Sequence, residues 1–404
     1  MKPVRELLKM LQDIQNGNAK KVVQCIREKG PMSRVELSEA MGIPQPTMTR
    51  IIEKLIDGNI LVEKGFGTSN GGRRPILVAF NENCSYAAGV ELGRNAIRAA
   101  VTNLDGKILS FREKETALDL SIDQLIMEVG KLVSQVVADS GVDSQLIFGV
   151  GVGLPGPLNE SPDGRISPPN FYGAEGIPLK ERLEEVLEYE VTIENDANCG
   201  ALAEKWFGAG KNVENFIFLF ADVGIGSGII LRNGIYRGTY GEAGEIGHST
   251  IHVFGERCYC GNYGCLETFC SLPVIINKVQ NELKTAPERE RLLFPEESMK
   301  IQDIVSALKR GSFTAEKVLR EAGQFLGIGA SNLVNLFAPD EIIIGGKAGA
   351  SHPIFMESVR ESLRSHVIGY NGKKTPVSVS DLSHGVVLGA AARAIHETFY
   401  SLSK

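Results

Sequence analysis

The residues best suited to chemistry are one histidine and three closely spaced cysteines. His248 is followed by Cys258, Cys260 and Cys265, and the intervening glycines allow the backbone to wrap tightly. Three thiolates and one imidazole are a common tetrahedral zinc set, and four protein ligands leave no position for a reacting water. The spacing therefore predicts a structural zinc site. The alternative is a group of free buried cysteines beside a hydrogen-bonded histidine, and Cys270 is expected to be a small core residue.

A second group of polar side chains could bind a sugar, because carboxylates and amides supply fixed acceptors and paired contacts for hydroxyl groups. They fall at predicted strand ends and in loops, and they are Asn170, Asn195, Asp196, Glu245 and Glu267, with His248 three residues beyond Glu245. Asp196 follows a predicted strand, so it could face a cleft as a base or as a hydroxyl acceptor. Each residue taken alone is more typical of a cap or a turn, and Asn195 would serve well as a helix N-cap.

Length and composition indicate a globular chain. The 404 residues are enough for two or three domains, and 43% apolar with 23% charged residues is ordinary for such a protein. No run approaches the roughly 18 consecutive apolar residues of a membrane span. Residues 1–6 contain no apolar segment typical of a secretory signal. We therefore expect a cytoplasmic protein and exclude a membrane protein, a secreted disulfide scaffold and a disordered chain.

Charge is distributed unevenly, and the basic end has a recognisable order of elements. Residues 1–80 contain 13 Lys and Arg against 8 Asp and Glu, so this segment carries +5 and the remainder −11. Ser33 and Glu36 have the spacing of a capping box, and Gly42 permits a sharp turn before the next helix. The predicted elements are helices at 19–29, after Ser33 and around Pro46, then strands at 60–64 and 76–80. This order predicts a winged helix-turn-helix domain over residues 1–80.

The third predicted helix and the loop between the two strands carry the candidate DNA contacts. The N terminus of a recognition helix meets base edges and phosphates, and the residues there are Gln45, Thr47, Thr49 and Arg50. Arg73 and Arg74 lie in a glycine-containing wing, which suits a phosphate backbone or a narrow minor groove. The alternative is a helical packing domain with a solvated basic loop. The agreement of order, cap, turn and basic wing favours DNA binding.

From residue 84 onward the pattern predicts two α/β lobes with a cleft between them. Two successive rounds of strands and helices follow one another. We expect the first lobe at 84–196, completed by a helix at about 385–404, and the second lobe, with the zinc site, at 197–384. The charged stretch 284–295 is predicted to be a loop.

Three motifs together resemble the ROK family of bacterial sugar kinases and sugar-responsive repressors. They are Gly244-Glu245-Ile246-Gly247-His248, Cys258-x-Cys260-Gly261-x-x-Gly264-Cys265-x-Glu267 and Glu194-Asn195-Asp196-Ala197-Asn198. The resemblance runs from about residue 86 to the C terminus. The winged helix in front resembles the repressor branch of the family, with its xylose-repressor, NagC-type and Mlc-type proteins.

The resemblance implies an actin-like, two-lobed sugar kinase fold with the sugar between the lobes. The positions that match the family's sugar contacts are Asn170, Asn195, Asp196, Glu245, His248 and Glu267. In the kinases the residue that matches Asp196 is the catalytic base. The resemblance also implies that His248 binds zinc with one nitrogen and approaches a sugar hydroxyl with the other.

Two departures from the kinases of this family argue against tight ATP binding. Those kinases have Asp-x-Gly-Gly-Thr after the first strand, whereas this chain has Glu91-Leu92-Gly93-Arg94-Asn95, so Arg94 stands where backbone must approach phosphate. In the second phosphate loop Asp222-Val223 replaces Gly-Thr and puts a carboxylate near a polyanion. ATP and Mg²⁺ are therefore not expected as ligands.

We predict a sugar-sensing transcriptional regulator, in the first place a repressor, that binds operator DNA as a homodimer or homotetramer and is released or modulated by a sugar between the lobes. Relief of repression is the common arrangement that the resemblance implies, and activation or a signal from a partner protein are the alternatives. One winged helix buries too little surface for high specificity, which favours an oligomer. One alternative is an active ATP-dependent sugar kinase with a fused DNA-binding domain, in which Asp196 is the base. Another is a zinc-stabilised scaffold without a ligand. The sequence does not distinguish glucose, xylose, N-acetylglucosamine and β-glucosides as effectors.

Overall fold

The N-terminal part of the protein is a winged helix-turn-helix, as predicted. The computed structural model describes residues 17–68, 74–117, 120–169, 171–296, 298–349 and 352–400. The first elements are α1 (Asn18–Lys29), β1 (Met32–Ser33), α2 (Arg34–Met41), α3 (Gln45–Asp57), β2 (Leu61–Phe66) and β3 (Ile76–Phe80). The strands form one antiparallel sheet in the order β1-β3-β2. We call these elements the head.

The capping box and the turn between α2 and α3 form as the sequence predicts. The Ser33 hydroxyl accepts a hydrogen bond from the Glu36 backbone N–H at 3.2 Å, and the Glu36 carboxylate accepts one from the Ser33 N–H at 2.7 Å. Two backbone donors at the start of α2 are thereby satisfied. Gly42 follows α2 with φ of +62°, a conformation that glycine adopts at little cost. The chain can therefore turn sharply into α3.

The first lobe of the body is built on a five-stranded sheet. Its elements are β4 (Tyr86–Leu92), β5 (Ala96–Asn103), β6 (Ile108–Glu115), α4 (Ile122–Ser140), β7 (Ile147–Leu154), α5 (Leu179–Leu187) and β8 (Val191–Asn195). The strand order is β6-β5-β4-β7-β8, in which β4, β5 and β6 pair antiparallel and β4, β7 and β8 pair parallel. Strand β7, which lies between β4 and β8, is buried along its whole length, as expected for a strand covered on both faces.

The second lobe repeats the strand order of the first. Its strands are β9 (Phe216–Ala221), β10 (Ile225–Leu231), β11 (Gly234–Ile235), β12 (Glu341–Gly345) and β13 (Val377–Val379). They lie in the order β11-β10-β9-β12-β13, with the same succession of antiparallel and parallel pairs. The helices are α7 (Glu267–Cys270), α8 (Leu272–Leu283), α9 (Glu288–Arg291), α10 (Ile301–Lys309), α11 (Phe313–Phe337), α12 (Gly346–Gly349) and α13 (Pro353–His366). The two-lobed α/β architecture is therefore confirmed.

Two further helices pack between the sheets, α6 with residues Asp196–Phe207 and α14 with residues Gly385–Tyr400. Gly89 of β4 and Gly151 of β7 let the α14 backbone lie directly on the first sheet, because Cβ atoms there would overlap the carbonyl oxygens of Val387 and Ala390. Helix α6 packs against α14 on one side and against β9 and β10 on the other. A movement of one lobe against the other therefore acts on these two helices.

The head is packed onto the first lobe through a continuous hydrophobic core. Residues from all three head helices share one cluster with residues of the first lobe and of α14. The body residues in this cluster are Cys84, Ala87, Leu104, Phe148, Ala391, Ala394 and Ile395. In addition, Arg27 of α1 donates a hydrogen bond to the Leu104 carbonyl at 3.2 Å. The orientation of the head is thus linked to the body by buried contacts.

The sequence prediction missed α8, α13 and β13, and it was wrong about part of the stretch 284–295. That stretch was expected to be a loop, but it contains the short helix α9. Glu290 of α9 is buried. Its carboxylate accepts hydrogen bonds from the Ser312 hydroxyl and the Thr314 backbone N–H, and these offset the cost of burying it. Among the helices that the structure describes, none combines the length and the apolar composition needed to cross a lipid bilayer.

Candidate functional site

A cavity between the lobes brings together five of the six predicted sugar contacts. Its lining includes Asn195, Asp196, Glu245, His248 and Glu267. The first two lie at the end of β8 and the start of α6, and the other three lie on the second lobe. The sixth predicted residue, Asn170, lies outside the described residues. Carboxylates, an amide and an imidazole thus face one space, which suits a ligand with several hydroxyl groups.

The sequence left open whether Asn195 is a helix N-cap or a cavity residue, and in the structure it is both. Its side-chain oxygen accepts hydrogen bonds from the backbone N–H groups of Ala197 at 2.9 Å and Asn198 at 3.1 Å, so it is the N-cap of α6. Its Nδ2 lies against Gly156, where a Cβ atom would overlap both this amide and Glu245 Oε1. The backbone at Gly156 therefore approaches two candidate sugar contacts closely, and glycine leaves the room for it.

Two carboxyl groups of the cavity titrate near neutrality. Asp196 is the first residue of α6, and its Oδ1 accepts a hydrogen bond from the Ala197 N–H at 2.7 Å. Desolvation raises the pKa of Asp196 to about 7, the charges of Glu91 and Glu245 act in the same direction, and Arg94 opposes them. Burial also raises the pKa of Glu245 to about 7. Protonation of the cavity thus changes within the physiological range.

His248, Cys258, Cys260 and Cys265 converge into a cluster that could hold a metal ion, as predicted. Their candidate ligand atoms all lie within 4.8 Å of one another. His248 Nδ1 is 3.6 Å from Cys258 Sγ, and the sulfurs of Cys260 and Cys265 are 3.7 Å apart. A tetrahedron of thiolates about 2.3 Å from zinc has edges of about 3.7 Å, so the four residues fit this ion. Cys270 lies in the hydrophobic core of the second lobe.

His248 and Glu267 connect the metal cluster to the cavity. The Cys258 thiol donates a hydrogen bond to Glu267 Oε1 at 2.9 Å, and the same oxygen lies 3.5 Å from His248 Nδ1. Because Nδ1 faces the cysteines, Nε2 is the nitrogen available to the cavity. It lies 3.1 Å from the hydroxyl of Tyr259, a further residue of the cavity wall.

The opposite side of the cavity is lined by residues of 91–95 and 222–227, the two segments that the resemblance matches to the phosphate loops of the kinases. Arg98 could offer a charge to a phosphate there, but it pairs with Glu91 at 2.5 Å and with Glu113 at 2.8 Å. The Asp222 carboxylate accepts hydrogen bonds from the backbone N–H groups of Val223 at 2.9 Å and Lys347 at 3.1 Å. Backbone donors of the kind that bind phosphate are therefore occupied by a side chain of the same protein.

Among the polar residues of this cavity that sequence reasoning missed are Tyr259, Arg98 and Lys347. Tyr259 carried a usable signal, because a side chain between two metal-ligating cysteines has to point away from the metal. Arg98 lies on β5, opposite Glu91 of β4. That cross-strand pair could have been found from the register of the hairpin. Lys347 lies in α12, far along the sequence, and no local pattern connects it to the site.

The four predicted DNA contacts of α3 lie on its accessible side. Met48, Ile52 and Leu55 fill the opposite face and have no exposed surface. Gln45 and Arg50 are exposed, whereas Thr47 and Thr49 are half-buried. Arg74 is exposed beside the wing, and Arg73 lies outside the described residues. The head therefore presents a polar and basic helix face to solvent.

Comparison with known proteins identifies both parts of the chain. Residues 87–397 match the model of the ROK family, and residues 15–62 match a winged helix-turn-helix DNA-binding model. The chain belongs to the ROK family. The resemblance found in the motifs around His248 and Asp196 is thereby confirmed, and this ROK protein has a DNA-binding domain in front of its body.

Three relatives place the two parts in context. The xylose repressor of Caldicellulosiruptor bescii is 32% identical over 380 residues, which are 93% of this ROK protein and 94% of the relative. A crystal structure of a ROK family transcriptional regulator, described as a homologue of the E. coli Mlc protein, matches with a TM-score of 0.79 and 27% identity over 95% of this chain and 96% of that one. A ROK family glucokinase from Streptomyces griseus, in complex with glucose and AMPPNP, matches with a TM-score of 0.70 and 27% identity over 77% and 100%. This ROK protein thus has the architecture of the sugar-responsive repressors of the family.

Proposed function

We propose that this ROK protein is a transcriptional repressor whose operator binding is relieved by a sugar, and that the sugar is xylose. The observation that carries the proposal is the convergence of sugar-type side chains in a body whose core continues into the DNA-binding head. The choice of xylose rests on the identity of 32% over 93% of the chain with a protein named xylose repressor. A repressor acts on chromosomal DNA, so we assign the protein to the cytoplasm.

In this proposal the sugar lies between the lobes and is bound mainly through its hydroxyl groups. Asp196, Glu245 and Glu267 accept hydrogen bonds from hydroxyls, and the Asn195 amide donates one. The Nε2 nitrogen of His248 supplies a further contact. Asn170 completes the set that we assign to the sugar. Because these residues come from both lobes, a sugar that contacts all of them favours the closed arrangement of the cleft.

We assign a structural zinc ion to His248, Cys258, Cys260 and Cys265. A fully coordinated zinc cross-links residues 248–267, which we call the zinc loop, and has no open position for catalysis. With Nδ1 of His248 among the ligands, the imidazole ring is fixed and presents Nε2 to the sugar. Glu267 is held beside the cluster, so the zinc loop would also determine where this carboxylate stands.

The DNA complex that we propose is a homodimer or homotetramer with α3 in successive major grooves. Gln45, Thr47, Thr49 and Arg50 would contact bases and phosphates, and Arg73 and Arg74 of the wing would contact the backbone or the minor groove. The spacing of two heads decides whether both fit one operator. A sugar-dependent rotation of the lobes would change this spacing through α6 and α14, which pack between the two sheets.

Operator release tests the proposal. Genomic fragments selected by the purified protein serve as the DNA, and fluorescence anisotropy measures their affinity with and without xylose, glucose and N-acetylglucosamine. We expect xylose at millimolar concentration to weaken operator binding by tenfold or more, and the other two sugars to have less than a twofold effect. Unchanged operator affinity with all three sugars contradicts the proposal. A response to glucose or N-acetylglucosamine alone replaces xylose as the effector.

A second candidate function is an ATP-dependent sugar kinase, in which Asp196 of the cavity wall would be the base; the similarity of the body to a glucokinase supports it. The backbone donors occupied by Asp222 and the position of Arg94 argue against it. A coupled ATPase assay with the same sugars distinguishes the two. We expect no turnover above the sugar-free rate, and sugar-dependent turnover with tight Mg-ATP binding would favour the kinase.

A further inference from the structure

A contact across the cavity mouth joins the first lobe to the zinc loop. The guanidinium carbon of Arg94 lies 4.9 Å from the centroid of the Tyr259 ring, and Arg94 Nη2 donates a hydrogen bond to the Tyr259 hydroxyl at 3.1 Å. Arg94 belongs to the turn between β4 and β5, whereas Tyr259 lies between Cys258 and Cys260. The stacked and hydrogen-bonded cation therefore bridges the two lobes.

The turn that carries Arg94 is itself held in place. The Tyr172 hydroxyl lies within hydrogen-bonding distance of the carbonyl oxygens of Gly93 at 3.3 Å and Arg94 at 3.0 Å, and 2.7 Å from the Thr116 hydroxyl. Three groups of the first lobe thus meet at one phenol beside the turn. Because the turn is fixed, the Arg94 side chain reaches the Tyr259 ring from a defined origin.

The Tyr259 hydroxyl also contacts Nε2 of His248, the nitrogen that we assign to sugar binding. It lies 3.1 Å from His248 Nε2, and the two rings are edge to face with centroids 5.2 Å apart. If Nδ1 is a zinc ligand, as proposed above, the ring proton is on Nε2, which then donates a hydrogen bond to the phenol oxygen. That oxygen then accepts from both His248 and Arg94, which uses its two lone pairs. The phenol stands where a sugar hydroxyl would otherwise accept from His248.

We propose that Tyr259 is an internal competitor of the sugar and that Arg94 holds it in place. This inference rests on the proposed function. The sugar hydroxyl that accepts the hydrogen bond from Nε2 displaces the phenol, and the displaced ring no longer supports Arg94. The sugar's own contacts to both lobes then replace the Arg94–Tyr259 bridge. The bridge therefore stabilises the sugar-free, DNA-binding arrangement, and the sugar shifts the balance by replacing one hydrogen bond and breaking a second contact. Tyr259 is 45% exposed, so the ring has solvent to move into.

The test is Tyr259→Phe in the full-length, zinc-containing protein. The variant keeps the ring that stacks on Arg94 and removes only the oxygen that competes for His248. Because one hydrogen bond no longer has to be exchanged, we expect the Kd for xylose, measured by calorimetry, to fall by about three- to tenfold. Tyr263→Phe is the matched control, since Tyr263 lies in the same loop and is 55% exposed. We expect its Kd to stay within about twofold of the unmodified protein.

A second variant and two readouts separate this inference from the proposed function. Arg94→Gln removes the cation that holds the phenol, so we expect operator release at a severalfold lower xylose concentration, with the zinc content unchanged. An unchanged or weaker xylose affinity in Tyr259→Phe, with normal binding by the unmodified protein, overturns the competitor role alone. In that case the phenol is either a bystander or a direct sugar contact. Absence of sugar binding in the unmodified protein overturns both proposals.

Discussion

The guanidinium carbon of Arg27 lies 4.8 Å from the ring centroid of Trp206, and this contact joins the head to helix α6. The same carbon lies 5.1 Å from the Phe80 ring of β3. Trp206 is near the C-terminal end of α6, and Asp196 is its first residue. One helix therefore has a candidate sugar contact at one end and a head contact at the other, and a rigid helix transmits a shift along its axis.

Arg27→Met should uncouple sugar binding from operator release. The substitution keeps an apolar stem between Phe80 and Trp206 but removes the charge and the hydrogen bond to the Leu104 carbonyl. We expect the Kd for xylose to change by less than about twofold, while the effect of xylose on operator affinity falls by about fivefold or more, a coupling loss of about 1 kcal/mol. Arg112→Ala is the control, because its ion pair with Asp139 is exposed on the first lobe. If xylose changes operator affinity equally in both variants, α6 does not transmit the effect of sugar binding to the head through Arg27.

Trp206 provides an independent signal for the same coupling. It is the only tryptophan in the sequence, so protein fluorescence excited at the indole band reports on the surroundings of this ring, which include Arg27 and His396. We expect xylose to change the emission of the unmodified protein, because the Arg27 cation over the ring moves with the head. The change should disappear in Arg27→Met. An equal xylose-induced change in both proteins would contradict the role of the Arg27–Trp206 contact.

Sugar affinity should depend on pH through Asp196. Its pKa in the folded protein is raised to about 7 from an ordinary value of 3.8. A protonated carboxyl is a poorer acceptor for a sugar hydroxyl, so we expect the xylose Kd to increase as the pH falls from 8 to 6. In Asp196→Asn the affinity should be about tenfold weaker at pH 8, the loss of a charge-assisted hydrogen bond. The pH dependence should be smaller, and the part that remains comes from Glu245, whose pKa is also raised to about 7. Asp139→Asn, exposed on the first lobe, should retain the pH profile of the unmodified protein.

The raised pKa of Asp196 also determines how its contribution to the free energy of unfolding changes with pH. Between pH 4 and 7 the folded protein keeps a proton that the unfolded chain has released, so the contribution of Asp196 to the free energy of unfolding falls as the pH rises through this range. Removing the buried charge should therefore raise the Tm of sugar-free Asp196→Asn at pH 8 and change it less at pH 5. Thermal unfolding at the two pH values measures the difference. A lower Tm at pH 8 contradicts the assignment.

Removal of the metal should destabilise the second lobe. We expect about one zinc per chain by elemental analysis, and a strong chelator should lower the Tm by several degrees, because the energy of ligation contributes directly to folding. Cys260→Ser should lose the ion, and since Cys260 is exposed the substitution disturbs no core packing. Cys270→Ala is the control, with its zinc content unchanged. Zinc retained by Cys260→Ser would exclude this cysteine as a ligand.

Operator binding should depend on Arg50 of α3. Loss of a base or phosphate contact from a recognition helix costs about 1–3 kcal/mol, so we expect Arg50→Ala to weaken operator binding by about five- to 150-fold. Lys131→Ala removes one positive charge from the exposed surface of the first lobe and should change the affinity by less than twofold. The two variants should bind xylose equally. Equal operator affinity in both would exclude α3 at Arg50 from the interface.

The sequence by itself determined the local parts of this protein. Capping at Ser33, the turn at Gly42, the apolar strand at 147–154 and the spacing of Cys258, Cys260 and Cys265 depend on neighbouring residues. Such features can be predicted from order and periodicity, and the family motifs added the candidate sugar contacts. The boundaries at 80, 84, 196 and 384 stay predictions, and the hydrophobic cluster that crosses from the head into α14 indicates close packing rather than a free linker.

Only the tertiary structure decided which distant side chains meet. Arg94 and Tyr259 are 165 residues apart, and Arg27 and Trp206 belong to different parts of the chain, so no periodic pattern connects them. The raised pKa of Asp196 likewise depends on burial and on charges brought in from other strands. Contacts of this kind are set by how the two sheets, α6 and α14 pack together, because packing depends on complementary shapes across the whole fold rather than on local spacing.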